Sequence, residues 1–248
     1  MKALLRAELL KQRSTRTSLG FLLVMLTLIL FAVVLHSFGL KASSLASHND
    51  QMHVFGWGGL GALFTGLVGA MSITAEIRHG TIRPTFLATP RRGRVILAKA
   101  VASSLIGVVF GLAAEGFAIG IGRAALAARG IPVHLDGGDA AQLIVGGAVA
   151  AALWGPIGVG LGALLRNQVA ALVGLFAWLL FVEGLLFGLL PTAGRFLPGI
   201  AGAAIAGATT TGEVRPLLAP AIGALLLAVY VAATATAGWI ATNRRDVA

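Results

Sequence analysis

The chain contains no cysteine and carries very little charge for its length. The absence of cysteine excludes disulfides, thiol chemistry and Cys-based zinc sites. Only 11% of the 248 residues are charged and 57% are hydrophobic, whereas about a quarter of a typical soluble domain is charged. This balance predicts an integral membrane protein.

Motifs for nucleotide binding and hydrolysis are also missing. No GxxxxGK[ST] stretch occurs, so the chain cannot cradle ATP phosphates in a P-loop. No Ser-His-Asp or HExxH arrangement is present either, and His48, Asp50 and His53 are interpreted as a solvated loop rather than a metal site. The chain is therefore predicted to be no enzyme and to bind no cofactor or metal itself.

Six apolar runs are each long enough to cross about 30 Å of hydrocarbon as a helix. They cover residues 18–37, 54–75, 100–121, 141–165, 169–190 and 217–241. Fourteen Lys and Arg flank one side of these runs and five flank the other. By the positive-inside rule both termini are cytoplasmic, and the basic residues serve topology and anionic lipid contacts rather than nucleic acid.

Two further segments are too short to span. Residues 1–16 place leucines at helical spacing among basic residues, which is typical of a helix lying in the membrane interface. Residues 191–216 are external in this topology yet mostly apolar, and 199–208 within them favour a short re-entrant or interfacial helix.

Four glycine pairs at i, i+4 spacing predict close helix contacts in lipid. These pairs are Gly107/Gly111, Gly116/Gly120, Gly158/Gly162 and Gly184/Gly188.

The longest charged interruption between two apolar runs covers residues 76–99 and holds six of the nineteen Lys and Arg. It begins at Glu76, and Gly80-Thr81 predicts a helix break. A short amphipathic helix over 82–87 follows, and Thr89-Pro90 predicts the N-cap and first residue of the next helix. Pro84, Arg91, Arg92 and Lys99 also belong to this segment. Two helix ends with a short helix between them form a platform on which a soluble partner could push.

This pattern of Glu76, Gly80-Thr81, Thr89-Pro90, a basic residue at Arg91 or Arg92, and Lys99 resembles the permease family of type-2 ABC transporters. The resemblance implies one transmembrane permease domain over residues 1–248 in the cytoplasmic membrane. Residues 1–16 would be its elbow helix, 76–99 its coupling segment and 191–216 its external segment. It also implies two permease copies, as homodimer or heterodimer, with two cytoplasmic ABC ATPase subunits that bind ATP and Mg.

On this interpretation eight residues would dock the ATPase and transmit its closure. They are Glu76, Gly80, Thr81, Pro84, Thr89, Pro90, Arg91 and Arg92. Glu76 and the arginines would supply charge at the contact, and glycine and the prolines would fix the bends. The cargo of such an exporter would be amphiphilic, for example a drug, peptide antibiotic or lipid.

Two acids lie inside predicted spans. Glu115 follows Lys99 by sixteen residues and Glu183 follows Gln168 by fifteen, so at 1.5 Å per residue both reach about 23 Å from the inner boundary. They are candidates for polar residues of a substrate path, or alternatively a hydrogen-bonded pair near the outer interface, which the sequence favours.

Two other functions remain open. A proton-driven secondary transporter would use Glu115 and Glu183 without an ATPase. A non-transporting membrane anchor would share the docking segment and recruit an ATPase or sensor.

Overall fold

The computed structural model describes residues 1–89, 91–207 and 217–244. Of these residues 88% are helical, and none of them forms a strand. Six helices in the described ranges are long and apolar enough to cross a membrane. Numbered as spans 1 to 6, they are Arg16–Gly39, His48–Arg78, Arg92–Ala128, Gly137–Leu165, Gln168–Leu189 and Pro220–Arg244. The predicted all-helical architecture, with six helices long and apolar enough to span a membrane, is confirmed.

Two spans contain local changes of helix type. Span 2 is built from His48–Phe55, a 3₁₀ turn at Gly56–Gly59, and Leu60–Arg78. Span 5 is built from Gln168–Ala177, a π turn at Trp178–Val182, and Glu183–Leu189.

Three short helices lie outside the spans. They are the N-terminal helix (Lys2–Ser14), the connector helix (Ile82–Ala88) and the end helix (Pro198–Ala206). A 3₁₀ turn at Ala42–Leu45 and one helical turn at Pro191–Gly194 complete the described elements.

Spans 2, 3 and 4 form the centre of the bundle. In the most apolar 18-residue stretch of each span, 61%, 50% and 67% of the residues of spans 2, 3 and 4 are buried. The corresponding share is only 17% in each of spans 1, 5 and 6. Span 4 packs along spans 2, 3 and 6, and span 1 packs against span 3. The outer faces of spans 1, 5 and 6 are therefore largely apolar surfaces that no other described part of this chain covers.

Span 3 is longer at both ends than its apolar run predicts. It starts at Arg92 rather than at residue 100 and continues to Ala128, a length of 37 residues. At 1.5 Å per residue this is about 55 Å, well beyond a hydrocarbon core of about 30 Å. The apolar run predicts only the part of the helix that is suited to lipid. The helix itself is longer, because its backbone hydrogen bonds continue through the charged residues at both ends.

Two of the four glycine pairs make close contacts between spans. A Cβ on Gly107 would lie 2.5 Å from the Ala151 carbonyl oxygen, and one on Gly158 would lie 2.0 Å from the Gly66 carbonyl oxygen. Gly111 and Gly162 are equally close to spans 4 and 2. A Cβ added to any glycine of the other two pairs would meet no described atom within 4 Å, so these glycines do not mark the close approach of two described spans.

The predicted short helix in the 191–216 segment is the end helix. It starts at Pro198, where a missing N–H costs no helical hydrogen bond, and it ends at Gly207, whose φ of 68° is left-handed. It packs between spans 4 and 6. Residues 208–216, which complete the predicted external segment, lie outside the described residues.

Candidate functional site

The turn after span 2 depends on Gly80. The span ends at Arg78, and the His79 and Gly80 amides donate to the carbonyls of Ala75 and Ile77 at 2.9 and 3.2 Å. Gly80 has a φ of +70°, a left-handed conformation that a side chain would strain. The predicted helix break at Gly80-Thr81 is confirmed, and it separates span 2 from the connector helix.

The connector helix has one buried and one exposed face. Ile82 and Phe86, four residues apart, are buried against the end of the bundle. Arg83 is exposed on the other side, and Leu87 is 82% exposed, more than any other large apolar side chain among the described residues. The helix therefore presents an apolar side chain with a basic neighbour to whatever lies beyond the bundle.

The start of span 3 differs from the sequence expectation. Thr89 is not its N-cap but ends the connector helix, with its amide donating to the Thr85 carbonyl at 3.0 Å. Arg91 takes the N-cap position of span 3, and the first helical residue is Arg92. The prediction was wrong because Thr89 is already used by the preceding helix. Pro90, the predicted first helical residue, lies outside the described residues.

Four ionisable side chains meet where the N-terminal helix, span 2 and span 3 come together. This charge cluster consists of Glu8, Lys11, Glu76 and Lys99. The Lys99 ammonium donates to Glu8 Oε2 and Glu76 Oε1, both at 2.8 Å, and to the Ser72 carbonyl at 2.9 Å. Lys99 is only 1% exposed, so water cannot satisfy its ammonium group. These three hydrogen bonds use all three of its N–H donors, as burial of an ammonium group requires.

Lys11 closes the cluster on its solvent side. Its ammonium donates to Glu8 Oε1 at 2.9 Å and to Glu76 Oε1 at 2.8 Å. Burial alone lowers the pKa of Lys11, but its hydrogen bonds to Glu76 and Glu8 and their negative charges outweigh burial and raise it. Lys11 therefore stays charged at neutral pH, and the cluster balances two acids with two bases.

Arg92 fastens the other flank of the connector helix. Its guanidinium donates from Nη1 to the Thr242 carbonyl in span 6 at 2.7 Å. It also lies over the Phe86 ring, 5.3 Å from the centroid, within the range of a cation–π contact. Arg92 thus joins the connector helix to both span 3 and span 6.

The remaining predicted residues lie around this framework. Thr81 and Pro84 line a groove of about 480 Å³ between the N-terminal helix, spans 1 and 2, and the connector helix. The Thr81 hydroxyl donates to the Glu76 carbonyl at 3.4 Å. Arg91 is exposed.

The geometry changes the role expected of Glu76 and Arg92. Glu76 is only 9% exposed and its carboxylate pairs with two lysines, and Arg92 is held by Thr242 and Phe86. Both therefore secure the connector helix from within. The exposed basic side chains of residues 76–99 are those of Arg78, Arg83, Arg91 and Arg94.

Sequence reasoning missed Glu8 and Lys11 as site residues. Glu8 follows Leu4 by four positions and Leu5 by three, so it lies on the apolar face of the N-terminal helix. A lone acid on that face was the available signal. In the structure Glu8 is 2% exposed, whereas Leu10, one of the leucines in this helix, is 64% exposed.

The second pair of predicted residues lies further along the bundle. Glu115 and Glu183 line one cavity of about 280 Å³ enclosed by spans 2 to 5 and the end helix. Glu183 accepts hydrogen bonds from Trp178 Nε1 and from the Ile200 amide, while neither oxygen of Glu115 has a partner among the described residues. The structure thus brings the two acids to one cavity, and no hydrogen bond joins them.

A scan of protein-family models and a search of curated proteins find no match to this chain.

Proposed function

We propose that this chain is the membrane subunit of an ATP-driven exporter, similar to type-2 ABC permeases, and that a separate cytoplasmic ATPase docks on its connector helix. The observation that carries the proposal is how this helix is held. The charge cluster braces the end of span 2 before it, and Arg92 fastens it to span 6 after it. Its outer face meanwhile exposes Leu87 beside Arg83.

A connector helix held by these contacts is suited to transmitting force. A passive loop needs no buried ion pairs, because water satisfies its polar groups. A helix fixed to spans 2, 3 and 6 passes any displacement of its outer face to the bundle. Exposed leucine and arginine suit a partner that offers an apolar pocket with an acidic rim.

The rest of the assembly follows from the same proposal. Two copies of this chain, identical or paired with a related permease, work with two ATPase subunits, which bind ATP and Mg. The complex lies in the cytoplasmic membrane with both termini inside, and its cargo is amphiphilic. The N-terminal helix acts as the elbow helix at the inner lipid surface.

Co-purification of a P-loop ATPase tests the proposal. Pull-down of the tagged chain from native membranes in mild detergent should recover such a protein in stoichiometric amount. A tagged multi-pass protein from the same membranes that lacks this segment serves as the control. Repeated recovery of the intact chain with no P-loop protein would overturn the proposal.

Topology provides a second, independent prediction. The fourteen-to-five asymmetry of basic residues places both termini and the connector helix inside. Reporter fusions after Ala248 and within residues 191–216 should therefore report opposite sides of the membrane. The same side for both fusions would contradict the arrangement, because the connector helix could then not be assigned to the cytoplasm.

Proton-driven secondary transport is the second candidate, since two acids line one cavity within the spans. Vesicles containing only this chain distinguish the two functions. Uptake driven by a proton gradient without any ATPase would favour the second.

A further inference from the structure

The cavity that holds Glu115 and Glu183 is apolar apart from these acids and a few polar backbone and indole groups. Its walls come from leucines of spans 2 and 5, small residues of span 4 and the end helix, and the rings of Trp57 and Trp154. Its volume of about 280 Å³ suits a ligand of roughly a dozen non-hydrogen atoms, at the small end of ligand sites.

Glu115 occupies a notch shaped for its carboxyl group. A Cβ on Gly58 would lie 2.1 Å from Glu115 Oε2, and a Cβ on Gly147 would lie 2.5 Å from Oε1. Two helices therefore omit a side chain where the carboxyl lies. Glu115 is 1% exposed, yet neither of its oxygens has a hydrogen-bond donor in the structure.

Burying the Glu115 carboxyl group without a hydrogen-bond donor lowers the stability of the folded chain. Burial of a polar group without a hydrogen bond costs about 1–3 kcal/mol by mutational measures, and more for a charge. A stabilising role would require a donor, as Glu183 has in Trp178 and Ile200. The unused hydrogen-bonding capacity of Glu115 therefore points to a donor that comes from outside the described residues.

Glu183 is positioned differently, by the π turn of span 5. A π turn brings residues five apart to the same side, so the Trp178 indole reaches the Glu183 carboxyl. All donors to Glu183 in the described chain are neutral. None of the ion pairs among described residues includes Glu115 or Glu183.

Trp154 adds a second unsatisfied group at the same cavity. Its side chain is 1% exposed, and its indole N–H has no acceptor within the part of the chain that the structure describes. The faces of tryptophan rings attract cations, most strongly where water is excluded.

We propose that this cavity binds a compact organic monocation, an ammonium group on an apolar body, with Glu115 as its counter-ion. The ammonium N–H groups donate to the carboxyl oxygens of Glu115, the apolar body fills the space beside Trp154, and Glu183 adds negative potential. The inference rests on the proposed function only in identifying such a molecule as cargo, since binding itself requires no ATPase.

Equilibrium binding to the purified full chain in nanodiscs tests this, with 1-aminoadamantane as the cationic probe and 1-adamantanol as a neutral probe of the same shape. We expect the amine to bind at least tenfold more tightly than the alcohol. Glu115→Gln should remove this preference while leaving the weak binding of the alcohol unchanged, which also shows that the variant is folded. Asp50→Asn, which removes an acid outside the cavity, should retain the preference.

Equal affinity for the two probes, no binding of either, or an amine preference that survives Glu115→Gln would each overturn the proposal. If the cavity bound only a proton and no organic ligand, neither probe would bind. Because no ATPase is present, failure here leaves the co-purification result unaffected, and failure of co-purification leaves this measurement unaffected.

Discussion

Replacing Lys99 by methionine is expected to lower the free energy of unfolding by about 3–5 kcal/mol, because it leaves Glu8 and Glu76 facing each other without their buried counter-ion. Both carboxylates hydrogen-bond to Lys99 at 2.8 Å, and Lys99 has no exposed side-chain surface. Lys11 alone cannot compensate fully, since its side chain is 47% exposed and water weakens its attraction for the two carboxylates. Denaturant unfolding of the purified chain in detergent measures the loss.

Two variants make this result specific to the charge cluster. Arg94→Met changes a basic residue on the exposed face of the same helix and should shift the free energy of unfolding by about 0.5 kcal/mol or less. A triple variant with Glu8→Gln, Glu76→Gln and Lys99→Met should recover most of the loss, because it removes the isolated charges together with their partner. A triple variant as unstable as Lys99→Met would show that lost packing, not unpaired charge, is responsible.

Replacing Leu87 by glutamate should weaken ATPase docking by about 2 kcal/mol or more, roughly thirtyfold in affinity. Leu87 is 82% exposed in the last turn of the connector helix, so its replacement should cost the fold of the chain itself almost nothing. At the proposed interface, however, the variant introduces a charge where the partner offers an apolar pocket. The measurements are recovered ATPase per tagged chain, and ATPase rate and efflux in reconstituted vesicles.

Lys41→Ala is the matched control, because it changes an exposed residue at the opposite end of span 1. It should leave recovery, ATP turnover and efflux unchanged. If Leu87→Glu matched the wild type in all three measurements, the connector helix could not be the docking surface. If Leu87→Glu lowered the unfolding free energy as Lys99→Met does, its effect on docking would have to be attributed to misfolding.

Local pattern was sufficient to predict the parts of this molecule that depend on nearby residues. Gly80 identified the end of span 2, because only glycine adopts a left-handed turn at little cost. The amphipathic stretch over 82–87 predicted the connector helix, and the structure shows that Ile82 and Phe86, one helical turn apart, form its buried face. The number of spans followed from the length and hydropathy of the apolar runs.

Long-range pairing could not be predicted in this way. The partner of Glu8 is Lys99, 91 residues away in sequence. No periodicity in residues 1–16 indicates which acid or base will meet Glu8 from another helix. Glu76 was for the same reason given an outward role, whereas its contacts with Lys11 and Lys99 turn it inward.

The pair of intramembrane acids shows the same limit. Counting residues predicted their common depth, since rise per residue is fixed in a helix. It could not predict their surroundings. The π turn that brings Trp178 to Glu183, and the two glycines that make room for Glu115, are properties of packed helices rather than of either span alone.

Span 3 is an unbroken helix from Arg92 to Ala128, and it carries both Lys99 and Glu115. Sixteen residues separate them, about 24 Å along the axis and about 160° around it. A sliding motion of this rod would displace the charge cluster and the cavity acid equally and in the same direction. A twist about its axis would instead carry the two side chains sideways in nearly opposite directions. Distances from Lys99 and from Glu115 to fixed points on span 4 would therefore distinguish translation of span 3 along its axis from rotation about that axis.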